Sequence, residues 1–239
     1  MESTTRVVRP VHPPAPYVGG KRNLAAELTR RIETIPHATY CEPFVGMGGV
    51  FLRRRFAAKG EVINDFSRDV ATFFRILQRH YAAFLDLLNS QLTTRVEFER
   101  LKATDPNTLT DLERAARLLY LQRAGYGGKV AGRTLGTGVQ RPARFDVTKL
   151  VPMLEEVHER LAGVVIECLP WDAFIRRYDR PETLFYCDPP YYGCEDYYGP
   201  GFDRSQFEQM AELLAGIKGR FLLSINDTPE VRAIFHRFQ

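Results

Sequence analysis

The sequence "TLFYCDPPYYG", residues 183–193, is a run of apolar residues that stops at an acid, two prolines and two tyrosines. A continuous apolar run of this length is typical of a strand buried on both faces of a sheet. Proline fixes φ and lacks an N–H, so Pro189 and Pro190 end the strand. The sequence therefore predicts a buried strand that carries Asp188 at its carboxyl end. Asp-Pro-Pro is also ordinary turn chemistry, and the rest of the chain has to separate a turn from a functional site.

Other short apolar runs predict the remaining strands of the same sheet. The five predicted strands are 38–44, 61–65, 163–168, 183–188 and 220–227. Between the second and the third lies a long segment with helical periodicity, in which Thr110 and Glu113 have the spacing of a capping box. Strands that alternate with helices favour an α/β fold with an open parallel sheet. We expect this sheet to be interrupted by a mostly helical insertion.

Composition narrows the class of protein. With 239 residues, of which 44% are hydrophobic, the chain can bury a sizeable core. We see no apolar run of transmembrane length and no secretory segment, so we expect a soluble, cytoplasmic protein without membrane contact. The four cysteines, at positions 41, 168, 187 and 194, lack CxxC spacing. We interpret them as reduced packing residues and expect neither a disulfide nor a bound metal.

Basic residues are concentrated in the middle of the chain. Residues 66–150 hold fourteen Lys and Arg against eight Asp and Glu, although the whole chain has a net charge of only +4. The segment 121–145, hereafter the basic segment, has five Lys and Arg, six glycines and no acid. Such a segment suits close approach to a polyanion, because cations neutralise phosphates and glycine leaves room for the backbone. The alternative is a solvated loop without a partner.

Polar residues and glycines follow the first two predicted strands. Glu42 and Phe44 precede a turn that contains Gly46, Gly48 and Gly49, which is not the G-x-G-x-x-G dinucleotide pattern. Asp65 ends the second strand, nineteen residues beyond Gly46, where an acid can accept hydrogen bonds from a ribose diol. Together these features predict a nucleoside cofactor without a pyrophosphate. The alternative role for Asp65 is the N-cap of the next helix.

Three motifs occur in a recognisable order. They are "PYVGGKRNLAAEL" (16–28), "EPFVGMGGVF" (42–51) and, after the long insertion, "DPPYYG" (188–193). In this order, over residues 17–239, the chain resembles the Dam-like, alpha-class (D12-type) DNA adenine-N6 methyltransferases. The resemblance implies a Rossmann-like S-adenosylmethionine-dependent methyltransferase sheet with an inserted helical target-recognition domain. The corresponding parts are 1–66, 67–150 and 151–239. The family's sheet usually closes with two further strands, and we expect these to be missing here.

The resemblance also implies roles for individual residues. Asp188 and the carbonyl beside Pro189 and Pro190 would accept the hydrogens of the target amine, and Tyr191 would stack on an adenine flipped out of double-stranded DNA. S-adenosylmethionine would be the cofactor, and no metal is required. The cofactor contacts implied are Tyr17, Lys21, Glu42, Phe44, Gly46, Gly48, Asp65, Trp171 and Asp188.

Two features of the sequence depart from the family pattern. Pro170 stands where relatives often carry an Asp, although Trp171 can still stack and Asp172 follows. In the basic segment, the resemblance implies DNA contacts for Arg123, Tyr126, Lys129 and Arg133, but Gln122 and the paired glycines differ from the family's segment.

Several alternatives stay open from the sequence alone. They are an inactive DNA-binding relative, an enzyme acting on cytosine N4, RNA or a protein amide, and a general nucleotide-binding α/β protein. A restriction endonuclease partner is not readable from the sequence.

Overall fold

The computed structural model describes residues 5–136, 142–193 and 202–238. In this part of the chain the strands are β1 (Thr5–Val7), β2 (Thr39–Glu42), β3 (Phe56–Ala58), β4 (Gly60–Asn64), β5 (Val165–Glu167), β6 (Thr183–Cys187) and β7 (Arg220–Leu223). The helices are α1 (Ala25–Thr34), α2 (Arg68–Arg79), α3 (Tyr81–Asn89), α4 (Arg95–Ala103), α5 (Asp111–Ala124), α6 (Val147–Arg160), α7 (Trp171–Tyr178), α8 (Arg204–Ala215) and α9 (Pro229–Ile234). Short 3₁₀ helices cover Phe51–Arg53 and Pro106–Thr108.

Five parallel strands form the main sheet, in the order β5-β4-β2-β6-β7. Each of the five predicted runs contributes one of these strands, so the α/β class with a parallel sheet is confirmed. The last run is strand only as far as Leu223, and β7 forms one edge of the sheet. The antiparallel pair of β1 and β3 is separate and was not predicted.

The strand order places a crevice at the carboxyl ends of β2 and β6. The chain first builds outward from β2 through β4 to β5, and then returns to the other side of β2 for β6 and β7. At such a reversal the loops after the two neighbouring strands diverge to opposite faces of the sheet, which leaves room for a ligand. The residues after Glu42 and after Cys187 therefore lie on the two sides of this crevice.

Helices cover both faces of the sheet. Along β2, alternate side chains enter different apolar clusters, with Tyr40 in one and Cys41 in the other. The cluster around Tyr40 extends through buried residues of α2, α3, α4, α5 and α6, so the core of residues 67–150 is continuous with that of the sheet. The predicted capping box of α5 is confirmed, because Thr110 and Glu113 exchange side-chain and backbone hydrogen bonds.

Three of the four cysteines lie within the described residues. Cys41 and Cys187 are buried, Cys168 is exposed, and all three are free thiols. Cys194 lies outside the described residues. None of the helices in the described ranges is long and apolar enough to span a membrane.

Candidate active site

A cavity of about 1360 Å³ opens at the carboxyl edge of the sheet. The predicted residues in its lining are Tyr17, Lys21, Glu42, Phe44, Gly46, Asp65, Arg123, Trp171, Asp188 and Pro190. Gly48, Pro189 and Tyr191 lie close by in the chain but do not line it, and neither do Tyr126, Lys129 and Arg133. Ligand pockets are typically about 300–1,000 Å³, so the cavity has room for a nucleoside cofactor and part of a second ligand.

Asp188 forms an ion pair with Lys21 at the carboxyl end of β6. The Lys21 Nζ lies 2.5 Å from Asp188 Oδ1, donates to the Gly19 carbonyl at 2.9 Å, and lies 4.6 Å from the centroid of the Tyr191 ring. Burial raises the pKa of Asp188 to about 6, against the opposing effect of the Lys21 ammonium. Lys21 is buried, with only 4% of its surface exposed.

Glu42 is a second buried carboxyl group beside Asp188. Burial raises the pKa of Glu42 to about 8, the nearby Asp188 adds to this rise, and a hydrogen bond from the Tyr40 hydroxyl to Oε2 at 3.0 Å opposes it. At neutral pH Glu42 is therefore mostly protonated. One carboxylate, one neutral carboxyl group and one ammonium then share this end of the cavity.

The glycine turn after β2 is tied to Asp65. Gly46 has a φ of +51°, and a Cβ at this position would lie 2.9 Å from Tyr17 Cδ1, so glycine lets the tyrosine ring pack against the turn. The Gly46 N–H donates to Asp65 Oδ2 at 2.9 Å, and the Ser67 N–H donates to Oδ1 at 2.9 Å. Ser67, and not Asp65, is the N-cap of α2. Burial raises the pKa of Asp65 to about 6, although both backbone hydrogen bonds oppose this rise.

Aromatic rings form the far end of the cavity. The centroid of Phe44 lies 6.5 Å from that of Trp171 and 6.0 Å from that of Phe202. The indole N–H of Trp171 donates to Gln206 Oε1 at 2.8 Å, which fixes the plane of the indole. Pro170 is the N-cap of α7, and Pro170 and Asp172 line the cavity together with Trp171. The departure at Pro170 thus keeps the aromatic ring in the cavity.

Some side chains of the basic segment point into the protein, and others point to solvent. The Arg133 Nε–H donates to Gln122 Oε1 and to the Lys129 carbonyl, both at 3.1 Å, and Arg123 lines the cavity with a buried Nε. Tyr126 is 62% exposed and Lys129 is exposed. Of the four predicted DNA contacts, Tyr126 and Lys129 therefore face solvent, whereas Arg133 is hydrogen-bonded within the protein and Arg123 lines the cavity.

Comparison with known proteins identifies the family. The model of the D12 class N6 adenine-specific DNA methyltransferases matches residues 17–239. The chain belongs to this family. It is 24% identical to the DNA adenine methylase of Haemophilus influenzae, over 92% of this chain and 81% of that protein. It is also 24% identical to the DNA adenine methylase of Escherichia coli K12, over 92% and 83% of the two chains. Its identity to the Type II methyltransferase M1.LlaDCHI of Lactococcus lactis is 26%, over 73% and 64%.

Three amide side chains, those of the buried Asn64 and Gln122 and of the half-buried Asn226, hold the loops of this methyltransferase-family site, and sequence reasoning did not assign them. Asn64 Nδ2 donates to the carbonyls of Pro43 and Leu169, at 2.9 and 3.1 Å, and its Oδ1 accepts the Leu169 N–H at 2.8 Å. Asn64 therefore joins the loops that follow β2, β4 and β5. An amide in a run of buried apolar residues, as in "EVIND", is the signal that marks it in the sequence.

The other two amides also bond to the backbone of loops. Gln122 Nε2 donates to the carbonyls of Pro16 and Gly128, at 3.1 and 3.2 Å, so it joins α5, the basic segment and the stretch before Tyr17. Asn226 exchanges two hydrogen bonds with the backbone of Tyr192, at 2.9 and 3.0 Å, and thereby fixes the chain after the two prolines. Tyr197 and Tyr198, which follow in the sequence, lie outside the described residues.

No metal site accompanies these groups in the described ranges. Among residues 5–136, 142–193 and 202–238, no three His, Cys, Asp or Glu side chains are placed to hold a metal ion.

Proposed function

We propose that this protein transfers a methyl group from S-adenosylmethionine to the N6 amine of an adenine in double-stranded DNA. The observation that carries the proposal is Asp188, a half-buried carboxylate at the end of β6, followed by Pro-Pro-Tyr, in the lining of a large cavity. Membership of the D12 class family supports adenine in DNA as the substrate. The strand order supports a Rossmann-like sheet, and we propose 67–150 as the inserted target-recognition domain between 1–66 and 151–239.

The residues of the cavity fit S-adenosylmethionine. Each Asp65 oxygen keeps a lone pair beyond its one backbone hydrogen bond, and these can accept the two ribose hydroxyls. The Phe44 and Trp171 rings provide an apolar slot for the cofactor's adenine. The positive φ of Gly46 lets the backbone and the Tyr17 ring approach the ligand closely. When bound, the cofactor supplies an activated methyl group on a sulfonium centre.

The chain's own residues then act on the target amine. The lone pair of an exocyclic amine is delocalised into the ring, so the amine is a weak nucleophile. The Asp188 carboxylate and the carbonyl beside Pro189 accept its two hydrogens, and the proline rings fix the direction of this carbonyl. Asp188 would take the proton that the amine nitrogen loses as it receives the methyl group from the sulfonium centre. These hydrogen bonds strengthen as positive charge develops on nitrogen.

The target adenine has to leave the duplex to reach this position. Tyr191 follows the prolines and would stack on the extruded base, an interaction worth about 1–3 kcal/mol per base. Outward-facing Tyr126 and Lys129 are suited to contact the DNA strand, whereas Arg123 faces the cavity. We therefore propose that the basic segment contacts DNA phosphates and so positions the strand. We propose no base contacts for this segment.

Product analysis tests the proposal. The chain is incubated with methyl-labelled S-adenosylmethionine and unmethylated genomic DNA, and the DNA is digested to nucleosides. We expect label in N6-methyldeoxyadenosine with the wild-type chain and none with Asp188→Asn. Label in N4-methyldeoxycytidine instead would identify cytosine as the substrate.

The chain carries its own reporter of cofactor binding for the same experiment. Trp171 is the single tryptophan of the sequence and lines the cavity, so quenching of its fluorescence reports binding at this site. Quenching without any methylated nucleoside, at high protein concentration, would favour the inactive DNA-binding relative.

A further inference from the structure

Lys21 makes contacts that a residue with no role beyond cofactor binding would not need. Its ammonium lies between Asp188 Oδ1, at 2.5 Å, and the Tyr191 ring, whose centroid is 4.6 Å away. In the proposed reaction the target amine donates to the same carboxylate while its base lies on the same ring. The Lys21 ammonium therefore occupies the place of the target amine in this structure.

We infer that Lys21 is a positioning residue for methyl transfer, which holds Asp188 as a carboxylate and keeps the amine's place between Asp188 and Tyr191 until the base arrives. The inference rests on the proposed function. Besides its contact with the cofactor, Lys21 would have a second role, which it exerts through Asp188.

The backbone around Lys21 fixes the position of this ammonium. The Lys21 carbonyl accepts the N–H groups of Leu24 and Ala25, at 3.0 and 2.7 Å, so the residue is locked into the turn that starts α1. A Cβ on Gly49 would lie 3.5 Å from the Lys21 nitrogen, which means that the glycine turn packs directly on this backbone. The side chain is 3% exposed and donates to the Gly19 carbonyl. These contacts hold the ammonium close to Asp188.

The surroundings of Asp188 supply no second cation. The titratable groups around it are Lys21 from the turn before α1, Glu42 from β2, and Tyr186 and Cys187 from β6, with Tyr40 bonded to Glu42 and Tyr191 beside Lys21. Burial raises the pKa values of Tyr40, Tyr186 and Cys187, and these groups are neutral at physiological pH. Glu42 is mostly protonated at neutral pH. Among the described residues, Lys21 alone brings positive charge to Asp188.

Removal of the Lys21 charge should raise the pKa of Asp188. Burial disfavours the ionised carboxylate, and the ammonium offsets part of this effect. Without the ammonium the carboxyl group holds its proton to higher pH. A protonated Asp188 has only one free acceptor oxygen and gains no energy from the charge that develops on the amine. The rate of transfer should therefore fall at neutral pH and recover at high pH.

The first test follows the ionisation of Asp188 in the full-length chain, without cofactor or DNA. The ¹³C carboxyl resonance of Asp188, assigned by its absence in Asp188→Asn, is titrated in the wild type and in Lys21→Met, Lys21→Arg and Lys59→Met. Methionine keeps most of the length of lysine and removes the charge. We expect the Lys21→Met midpoint to rise by about 1 pH unit or more. The wild-type midpoint should be matched by Lys21→Arg and by Lys59→Met, an exposed lysine of the turn between β3 and β4. An unmoved midpoint in folded Lys21→Met overturns the inference.

The second test follows the reaction. Single-turnover transfer is measured from pH 5 to pH 9 with cofactor and DNA at saturation, and saturation is checked by Trp171 fluorescence. We expect the acid limb of the profile to move to higher pH in Lys21→Met, with recovery in Lys21→Arg. An equal loss of rate at every pH, or a loss of cofactor affinity with an unmoved limb, would leave Lys21 a cofactor contact only. If the wild type makes no methyladenine, the proposed function fails, while the carboxyl titration still decides whether Lys21 controls Asp188.

Discussion

Glu61, which is buried, and Asp188, whose side chain is 17% exposed, lie at opposite ends of the strands of the same sheet, and they differ in the cations that surround them. Glu61, near the start of β4, accepts from Arg54 Nη1 at 2.5 Å and from Arg160 Nη1 and Nη2 at 2.7 and 2.9 Å. Asp188, after the end of β6, has the single ammonium of Lys21 and a second carboxyl group, Glu42, beside it. Glu61 is thus paired with two cations, whereas Asp188 is paired with one.

The two clusters also differ in how firmly the cations are held. The guanidinium of Arg54 lies 3.7 Å from the centroid of the Tyr40 ring and that of Arg160 lies 4.2 Å from the centroid of Phe51. These cations are fixed by aromatic faces and by Glu61 together. Lys21 faces a large cavity from which a ligand can compete for its partner. The comparison indicates that a structural carboxylate differs from a reactive one in two ways: in the number of cations paired with it, and in whether a ligand can reach it.

The largest effect on stability is expected from Glu61→Gln. This substitution leaves two buried guanidiniums without a counter-charge, so we expect the free energy of unfolding to fall by about 3–5 kcal/mol. Urea denaturation measures it. Glu27→Gln, which breaks exposed pairs with Arg30 and Arg31 in α1, serves as the matched control and should have little effect. A free energy equal to that of the wild type would show that the Glu61 cluster is not structural.

At the opposite end of the strands, Trp171→Ala should weaken cofactor binding. The substitution removes one wall of the proposed adenine slot, and a stacked aromatic contact with its buried area is worth about 1–3 kcal/mol, or roughly 5- to 150-fold in Kd. Isothermal titration calorimetry with S-adenosylmethionine measures the change. Trp171→Phe keeps an aromatic face and should lose less affinity. Equal affinity in Trp171→Ala and the wild type would move the adenine away from this slot.

Cofactor binding should also depend on pH through Asp65. With its pKa raised to about 6, the Asp65 carboxylate is ionised above this pH and protonated below it. Ribose hydroxyls donate more strongly to the ionised form, so affinity should fall, by up to about tenfold, as pH decreases from 7.5 to 5. Trp171 fluorescence follows the titration. Asp65→Asn should bind more weakly at pH 7.5 and lose most of this dependence; the same slope in Asp65→Asn would assign it to another group.

The sequence predicted the strands of the sheet better than the connections of the site. Continuous apolar runs mark buried strands locally, and the positions of Gly46 and Asp65 follow from where those runs end. The role of Asn64 depends on Leu169, 105 residues away, and that of Gln122 depends on Pro16, 106 residues away. Such bridges have no local pattern.

The directions of the side chains in the basic segment could not be predicted from the sequence either. Arg133 and Lys129 look alike in the sequence as cations among glycines. The structure turns Arg133 toward Gln122 and leaves Lys129 exposed. Charge composition predicts that a segment is basic, but hydrogen-bond partners elsewhere in the chain decide which cations reach solvent.

The smallest effect is expected from this difference between Lys129 and Arg133. If Lys129 contacts a DNA phosphate, Lys129→Ala should lower the slope of log K against log salt concentration by about 1. Arg133→Ala should leave the slope unchanged and should lower thermal stability, because it removes the hydrogen bond to Gln122. DNA binding measured at several salt concentrations compares the two variants. A reduced slope in Arg133→Ala alone would reverse the assignment.

The most direct test of the difference between the two carboxylates is to measure single-turnover methyl transfer and the free energy of unfolding on the same preparation of Asp188→Asn. Asparagine keeps the shape of the side chain and removes its charge. Stability should fall by less than in Glu61→Gln, because one ammonium beside a large cavity, and not two buried guanidiniums, loses its counter-charge. The account predicts a rate at least about a thousandfold lower, since an amide accepts less strongly from the amine and cannot take its proton. A folded Asp188→Asn that transfers methyl groups at the wild-type rate would contradict the account.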